Sequence, residues 1–405
     1  MPWLLLVIAS VSLLAWLHLL LLRGGFWKAN RRLGRPGPLS ADQAPAVVAV
    51  VPARDEAETV GETIRALLAQ DYAGALQVVL VDDGSEDGTA EVARAAAEAA
   101  GQPQRLTVLQ GAPLPAGWAG KLWALNQGVA EAGRLSPSAC YLWFIDADIV
   151  AASDSLNRLV QKAESEGRAL VSLMALLHHS GAWPRLLIPP FVFFFQKLYP
   201  FAWSNNPRRS TAAAAGGCAL VRADSLKRAG GLEAIKDALI DDCALARLIK
   251  DQARGEGRGI WLGLTRSVVS IRPYRQLSEI WRMVARSAYT QLEHSPIQLI
   301  GTVLGMLLLY LAPPAIPLTA ALHGVWQAAV VAAGAWLLMA FVAWPTYRLY
   351  REPAWRTLLL PLAALLYTAM TLDSAWQHAR GRGGLWKGRA QAQGARPLAG
   401  ERRGG

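Results

Sequence analysis

The spacing of apolar positions divides the chain into three parts. Residues 3 to 22, WLLLVIASVSLLAWLHLLLL, form an uncharged apolar run long enough to cross a bilayer as one helix. From residue 46 to 292 the apolar runs are short and alternate with stretches of helical period. AVVAVV (46 to 51) is followed by Val60, Ile64, Leu67 and Leu68 at helical spacing, and QVVLV (77 to 81) by a helix that Asp87 and Thr89 can cap and that runs to about Gly101. LTVL (106 to 109), a helix over KLWALNQGVAEAG ended by Gly133, and the strand YLWFI (141 to 145) continue the series. Further strands are predicted at 169 to 175, 218 to 221 and 259 to 264. Alternation of this kind predicts an α/β domain, a mostly parallel sheet with flanking helices. Beyond it, residues 297 to 319, roughly 325 to 345, and 357 to 372 are long apolar stretches interrupted by Pro313, Pro314, Pro317 and Pro361. The pattern thus predicts an N-terminal transmembrane anchor (1–22), a basic linker (23–45), an α/β domain (46–292), C-terminal membrane helices (297–373) and a basic, disordered tail (374–405).

Charge sharpens this division. The net charge is +11, of which residues 23 to 42 carry +4 and residues 377 to 405 carry +6, so only +1 remains for everything between. A nucleic-acid reader concentrates positive charge on its folded domain. Basic flanks beside apolar segments instead suit a membrane surface, so the partners expected are a membrane and no nucleic acid. Arg23, Lys28, Arg31, Arg32 and Arg35 follow the first apolar run rather than precede it, which predicts a retained anchor with the domain on the cytoplasmic side of the inner membrane. Four crossings would then place Arg380, Arg382, Lys387 and Arg389 outside, against the positive-inside tendency, so one C-terminal segment is expected to be re-entrant or interfacial. RLLIPPFVFFFQKLYPFAW (185 to 203) reads either as an interfacial element that receives a lipid or as a buried core element. Cys140, Cys218 and Cys243 form no metal or disulfide pattern, and adjacent His178 and His179 would point to opposite faces of a strand.

Acids gather where the strands end. Arg54, Asp55 and Glu56 close the first strand, Asp82 and Asp83 the second, and Asp146 and Asp148 the fourth. In an open parallel sheet ligands sit beyond these strand ends, and hard carboxylate oxygens there suit a nucleotide with Mg or Mn. Each motif alone has a plainer account: DDGS as a turn, DAD as chance, Lys121 as a solvated helix start, Gly216 and Gly217 as a β-bulge, Asp241 or Asp242 as a helix cap.

Taken together, PARDE, VDDGSEDGT, GKLWALNQG, DAD, GGCALVRADSLKRAGG and IDD resemble, in this order, the inverting family 2 glycosyltransferases with a GT-A fold. AGWAGKLWALNQG and WRMVARSAYTQL are most similar to the hopene-associated members found in hopanoid loci. The resemblance implies a nucleotide-sugar donor, a UDP-sugar, a lipid acceptor such as a hopanoid, and a divalent metal, Mg or Mn. By that analogy Pro52, Arg54, Glu56, Asp82, Asp83, Lys121, Asp146, Gly216, Gly217 and Arg286 contact the donor, Asp148 binds the metal, and Asp242 beside Asp241 is the general base. Asp55 departs from the Asn usual before that Glu. The family's QxxRW motif corresponds to MVARS (283 to 287), where Met283 and Ser287 replace Gln and Trp, which weighs against processive polymer synthesis. A processive synthase and a silent nucleotide-sugar-binding membrane protein remain the alternatives, and Trp281 reads either as a sugar platform or as core.

Overall fold

Apolar, β-branched runs become the strands of a single eight-stranded sheet in the computed structural model, which describes residues 2–34, 37, 44–381, 385–386 and 389–390. The strands are β1 (Val47–Ala53), β2 (Leu76–Asp82), β3 (Leu106–Gln110), β4 (Tyr141–Ile145), β5 (Ile149–Ala151), β6 (Arg168–Leu176), β7 (Cys218–Arg222) and β8 (Gly259–Ser270). Their order is β3-β2-β1-β4-β7-β6-β8-β5. β1 lies parallel to β2 and β4, β2 to β3, and β6 to β8. β7 runs antiparallel between β4 and β6, and β5 antiparallel to β8. Every residue of β1 and β4 is buried, as expected of strands covered on both faces. Ile64, Leu67, Trp143 and Leu159 pack on one face, and Leu122, Leu125, Phe144 and Leu245 on the other.

Two local outcomes differ from the expected boundaries. The helix expected to stop at Gly133 continues to Leu135, since a glycine costs a helix only about 1 kcal/mol when the surrounding turns are sound. β5 is only three residues long and left no periodic signal, yet its antiparallel pairing with the end of β8 sets Ile149 opposite Ser270.

The basic linker is docked rather than free. Phe26 and Ala29 are buried, Leu264 N donates to Arg31 O at 2.7 Å, and Arg158 Nη2 donates to Leu33 O at 3.1 Å. Arg23 lies over the Trp203 ring, 4.9 Å from its centroid, and Arg209 lies 5.3 Å from the same ring. Arg35, residue 36 and residues 38–43 fall outside the described residues, as do Arg382, Lys387 and residues 391–405 of the tail.

Four helical segments are long and apolar enough to cross a membrane by length and composition: Trp3–Leu22, Pro296–Ala320, Trp326–Leu349 and Ala354–Ala379. The last is tied to the α/β domain at both ends. Before it, Glu352 faces Arg356 at 3.0 Å and Arg185 at 3.5 Å, and Arg266 Nε donates to Leu349 O at 2.7 Å. Near its end, Asp373 accepts from Trp281 Nε1 at 2.7 Å and Ser374 Oγ from Tyr289 N at 3.0 Å. Between these anchors Leu360 is buried among Tyr310, Met339 and Tyr347 of the helix cluster.

The helix Ala182–Leu198, which carries Pro189 and Pro190, buries Leu187, Ile188, Val192 and Phe193, while Trp183 and Leu198 are exposed. Tyr367 donates to its Leu187 O at 2.8 Å and Gln196 Nε2 to Thr346 Oγ1 at 3.0 Å. One face is therefore core, joining the sheet domain to the apolar helices. His179 packs against Tyr350, its Nε2 3.1 Å from the carbonyl oxygen.

Gly128 in the helix Gly120–Leu135 lets that helix lie close on the sheet, because a Cβ there would come within 2.3 Å of Val50 Cγ1 and 3.1 Å of Val81 Cγ2. Gly128→Ala should lower stability by about 1–3 kcal/mol through overpacking, despite the better helix propensity of Ala. Thermal melts of the detergent-purified protein check this, and an unchanged or raised Tm would contradict the packing described.

Candidate active site

Three groups of side chains meet along the rim formed by the C-terminal ends of β1, β2 and β4 and the start of β7. The first is a lacework between the segments that follow β1 and β2. Asp55 sits at φ 49°, and its N–H donates to Ser85 Oγ at 3.0 Å while its Oδ1 accepts from Glu86 N at 3.0 Å. Asp87 accepts from Ala57 N at 2.9 Å and from Thr89 N at 3.1 Å, and Glu56 N donates to Thr89 Oγ1 at 2.8 Å. Asp82 Oδ1 accepts from Ser85 N at 2.9 Å, so the turn-forming reading of DDGS is realised at Asp82. Arg54 donates to Asp83 O at 2.5 Å, with its guanidinium 3.9 Å from Asp83 Oδ2. Pro52 lies inside β1, opposite Val81.

The second group centres on Lys121. Its ammonium stands 2.9 Å from Asp146 Oδ1 and 3.2 Å from Asp241 Oδ2, so it is a buried clamp rather than a solvated helix start. Burial disfavours its charge, but Asp146 and Asp241 more than compensate and hold it above the ordinary lysine range. Burial likewise pushes Asp146 up, with Lys121 opposing the shift. Gly216 and Gly217 precede β7 rather than bulging from it, since Cys218 pairs regularly with Ile145. A Cβ on Gly216 would lie 3.2 Å from Lys121 Nζ and 3.4 Å from Asp242 Cβ, so backbone and clamp meet only because no side chain intervenes.

Asp242 completes this group. Its Oδ2 accepts from Gly216 N at 3.0 Å, and its Oδ1 from Cys243 N at 2.7 Å in the first turn of the helix Asp241–Arg254. The cap position of that helix is Ile240, so neither Asp241 nor Asp242 caps it and the capping account does not hold. Burial, then repulsion from Asp241, raises its pKa to about 6, although Lys121 and the two amides pull the other way.

The third group joins Asp148 to residues that no sequence motif marked. Because β5 begins directly after the DAD triplet and pairs with the end of β8, Ser270 Oγ donates to Asp148 Oδ2 at 2.7 Å. Arg272, two residues on, reaches Asp148 Oδ2 with Nε at 3.3 Å and Glu56 with Nη2 at 2.6 and 2.8 Å. Burial pushes the Tyr274 hydroxyl up to about 12, the charges of Asp148 and Asp146 adding to the shift and those of Arg272 and Arg286 opposing it. Arg286 thus lies within electrostatic reach of Tyr274. Tyr274 OH contacts Met283 Sδ at 3.1 Å, and Trp281 is turned away towards Asp373. The available clue to Ser270, Arg272 and Tyr274 was SIRPYR directly after the apolar run of β8, another polar stretch ending a strand.

The acids suit a hard divalent cation in donor chemistry. Among the described residues no group of three or more His, Cys, Asp or Glu is arranged as a metal site. Asp148 with Asp146 nevertheless offers the one or two carboxylates that Mg and Mn commonly take, the remaining positions going to phosphate oxygens and water.

Comparison with known proteins agrees with this architecture. Residues 48–230 match Glycosyl transferase family 2. An N-acetylglucosaminyltransferase of Rhizobium leguminosarum bv. phaseoli is 33% identical over 159 residues, covering 37% of this chain and 32% of the relative. One from Rhizobium leguminosarum bv. viciae is 28% identical over 186 residues, covering 45% of this chain and 41% of the relative. The matches therefore span less than half the length of either rhizobial protein. A mannosyltransferase from Pyrobaculum calidifontis, solved with GDP-mannose and Mn2+, superposes with a TM-score of 0.57 at 21% identity, over 92% of this chain and 99% of that one. The fold is GT-A-like, an α/β sheet domain with apolar helices at both termini.

The raised Asp242 has a signed consequence for stability. An acid whose folded pKa lies near 6 rather than 3.8 makes the fold bind more protons than the unfolded chain, so its charge costs stability as pH rises from about 4 to about 6 and by a constant amount above. Asp242→Asn should therefore gain on wild type by about 4–8 °C in Tm between pH 4.5 and pH 7.5, the response to the ~2 kcal/mol that a folded pKa near 6 against 3.8 puts between those two pH values. A Tm difference independent of pH would mean that the carboxyl ionises normally.

Proposed function

We propose that this protein is a membrane-anchored, inverting glycosyltransferase that moves one sugar from a nucleotide-sugar donor to a lipid acceptor. One observation carries the reading: a half-buried lysine pairs with Asp146 and Asp241 beside Asp242, which holds the side-chain-free backbone at Gly216, on the strand-end rim of a domain to which apolar helices are packed. A UDP-sugar is the favoured donor on the sequence resemblance, and the rhizobial N-acetylglucosaminyltransferases support a hexosamine. The GDP-mannose of the Pyrobaculum enzyme makes a GDP-sugar the other donor to test.

In this reading Arg54, Glu56, Asp82 and Asp83 with Pro52 receive the nucleoside, while Lys121, Asp146, Gly216, Gly217 and Arg286 flank the diphosphate and sugar. Asp242 takes the proton from the acceptor hydroxyl as that oxygen attacks the anomeric carbon, opposite the departing diphosphate, which inverts the carbon. Its pKa near 6 makes it a stronger base than an ordinary Asp while leaving it ionised at neutral pH. Lys121 keeps Asp241 and Asp146 from adding further repulsion. A divalent cation held by Asp148 with Asp146 would offset the charge of the leaving diphosphate.

Single transfer is favoured over polymer synthesis, because Met283 and Ser287 stand where the motif has its Gln and Trp, and Trp281 is tied to Asp373 by its indole N–H. A lipid acceptor, and among lipids a hopanoid, is proposed from the resemblance and from the apolar helices beside the rim. Nucleotide release from UDP- and GDP-sugars by detergent-purified protein, with Mg or Mn and a bacterial lipid extract, tests the reaction. Release should be stimulated by lipid and fall at least a hundredfold in Asp242→Asn and Asp148→Asn. Full activity in either variant removes the role given to that residue, and extracts lacking hopanoids that stimulate equally remove the hopanoid.

The same contacts support a topology of three crossings. The segment Ala354–Ala379 leaves the α/β domain at Glu352 and returns to it at Asp373 and Ser374, so it re-enters without crossing. The basic residues from Arg380 onward then stay on the domain's side, presumed cytoplasmic from the charge after residue 22, and the conflict with the positive-inside tendency disappears. Single cysteines at Gly324 and Gly381, in a background without the native three, should differ in labelling by an impermeant maleimide in intact cells. Labelling at 324 but not 381 is expected, and equal labelling of both would restore a fourth crossing.

A further inference from the structure

Arg272 lies between two acids of the rim. Its Nη2 binds both oxygens of Glu56 at 2.6 and 2.8 Å, and its Nε lies 3.3 Å from Asp148 Oδ2, so one guanidinium bridges the end of β1 to the acid after β4. Glu56 and Asp148 are largely buried, with side chains only 10% and 12% exposed, whereas the Arg272 side chain is 34% exposed. Two buried carboxylates facing one site are costly without a counter-charge, and this arginine supplies it. Arg272 stands in the segment between Ser270 and the helix Leu277–Ala285, and its side chain keeps a third of its surface in contact with solvent.

We propose that Arg272 is a resident counter-ion that competes with the divalent metal for Asp148 and gives way when a diphosphate arrives. The inference rests on the metal and donor reading above and adds an order of events to it. Without nucleotide, metal binding must displace a guanidinium already paired with two carboxylates, so free metal binds weakly. With nucleotide, the phosphates offer the guanidinium a new anionic partner, which releases Asp148. Metal and nucleotide therefore bind cooperatively, and the protein does not hold a bare metal ion on an empty rim. Such coupling is reciprocal: whatever factor the nucleotide adds to metal affinity, the metal adds to nucleotide affinity.

The other basic side chain of this segment provides a control. Arg275 pairs with Glu58 at 3.1 Å, and both side chains are about 70% exposed, with no contact to Asp148. The full-length protein in detergent would be titrated with Mn2+, reading free Mn2+ by electron paramagnetic resonance, with and without UDP or GDP. Wild type and Arg275→Gln should bind Mn2+ weakly alone and at least tenfold more tightly with the nucleoside diphosphate. Arg272→Gln should bind Mn2+ at least tenfold more tightly than wild type in the absence of nucleotide and lose most of the nucleotide effect. Arg272→Lys, which keeps a charge but cannot span both carboxylates, should fall between. Near-ultraviolet circular dichroism matching wild type shows that the variants are folded. Equal or weaker Mn2+ binding by folded Arg272→Gln overturns the competition while leaving the metal reading intact. Absence of Mn2+ binding in every protein, with or without nucleotide, overturns the metal reading and this inference with it.

Discussion

The ammonium of Lys121 is the interaction on which the rest of the rim depends. It brings together acids from segments nearly a hundred residues apart, Asp146 after β4 and Asp241 at a helix start, within 3.2 Å of one nitrogen. Without it Asp146, Asp241 and Asp242 would repel one another at a half-buried rim with no counter-charge between them. The clamp in turn needs its own support. Lys121 stands at the start of a helix whose approach to the sheet is set by Gly128 against Val50 and Val81. A packing constraint in the core thus becomes an electrostatic one at the surface.

The two cations at this rim divide the charge between them. Lys121 neutralises the acids beside Gly216, and Arg272 those between Glu56 and Asp148. The division follows from the sheet. β7 runs antiparallel into the rim and delivers the glycines, while β5 and β8 deliver Ser270 and Arg272 from the far edge. Each acid is therefore flanked by partners from more than one strand, a rigid arrangement that resists collapse when no ligand is present.

Much of this was legible in the linear chain, and the reasons are local. Strands such as AVVAVV and YLWFI declare themselves because burial on both faces demands continuous apolar residues, and the acids after them stand out because burial tolerates them only at an end. Lys121, Gly216 and Asp242 were legible as a family pattern, although Lys121 taken alone read equally well as a solvated side chain. Arg272 and Ser270 were not legible, because their contacts depend on a strand of three residues whose register only the folded sheet defines. The long apolar segments were legible by length, whereas the tie of the last one to the α/β domain at both ends was hinted at only by misplaced charge. Its physical cause, hydrogen bonds from Trp281 and Tyr289, lies about ninety residues away in the chain.

The segment Pro296–Ala320 has one more consequence. Its 25 residues at about 1.5 Å each make a rod of about 38 Å, longer than the ~30 Å of hydrocarbon in a typical bilayer. Placed across a membrane it must lean, and the lean grows as the bilayer thins. Its first turn begins only seven residues after Tyr289, which is fastened to the returning segment through Ser374. A change in lean is therefore transmitted to the α/β domain as a change in how high the rim rides above the headgroups. On the membrane-anchored reading proposed above, bilayer thickness becomes a variable that sets the height at which the rim is held.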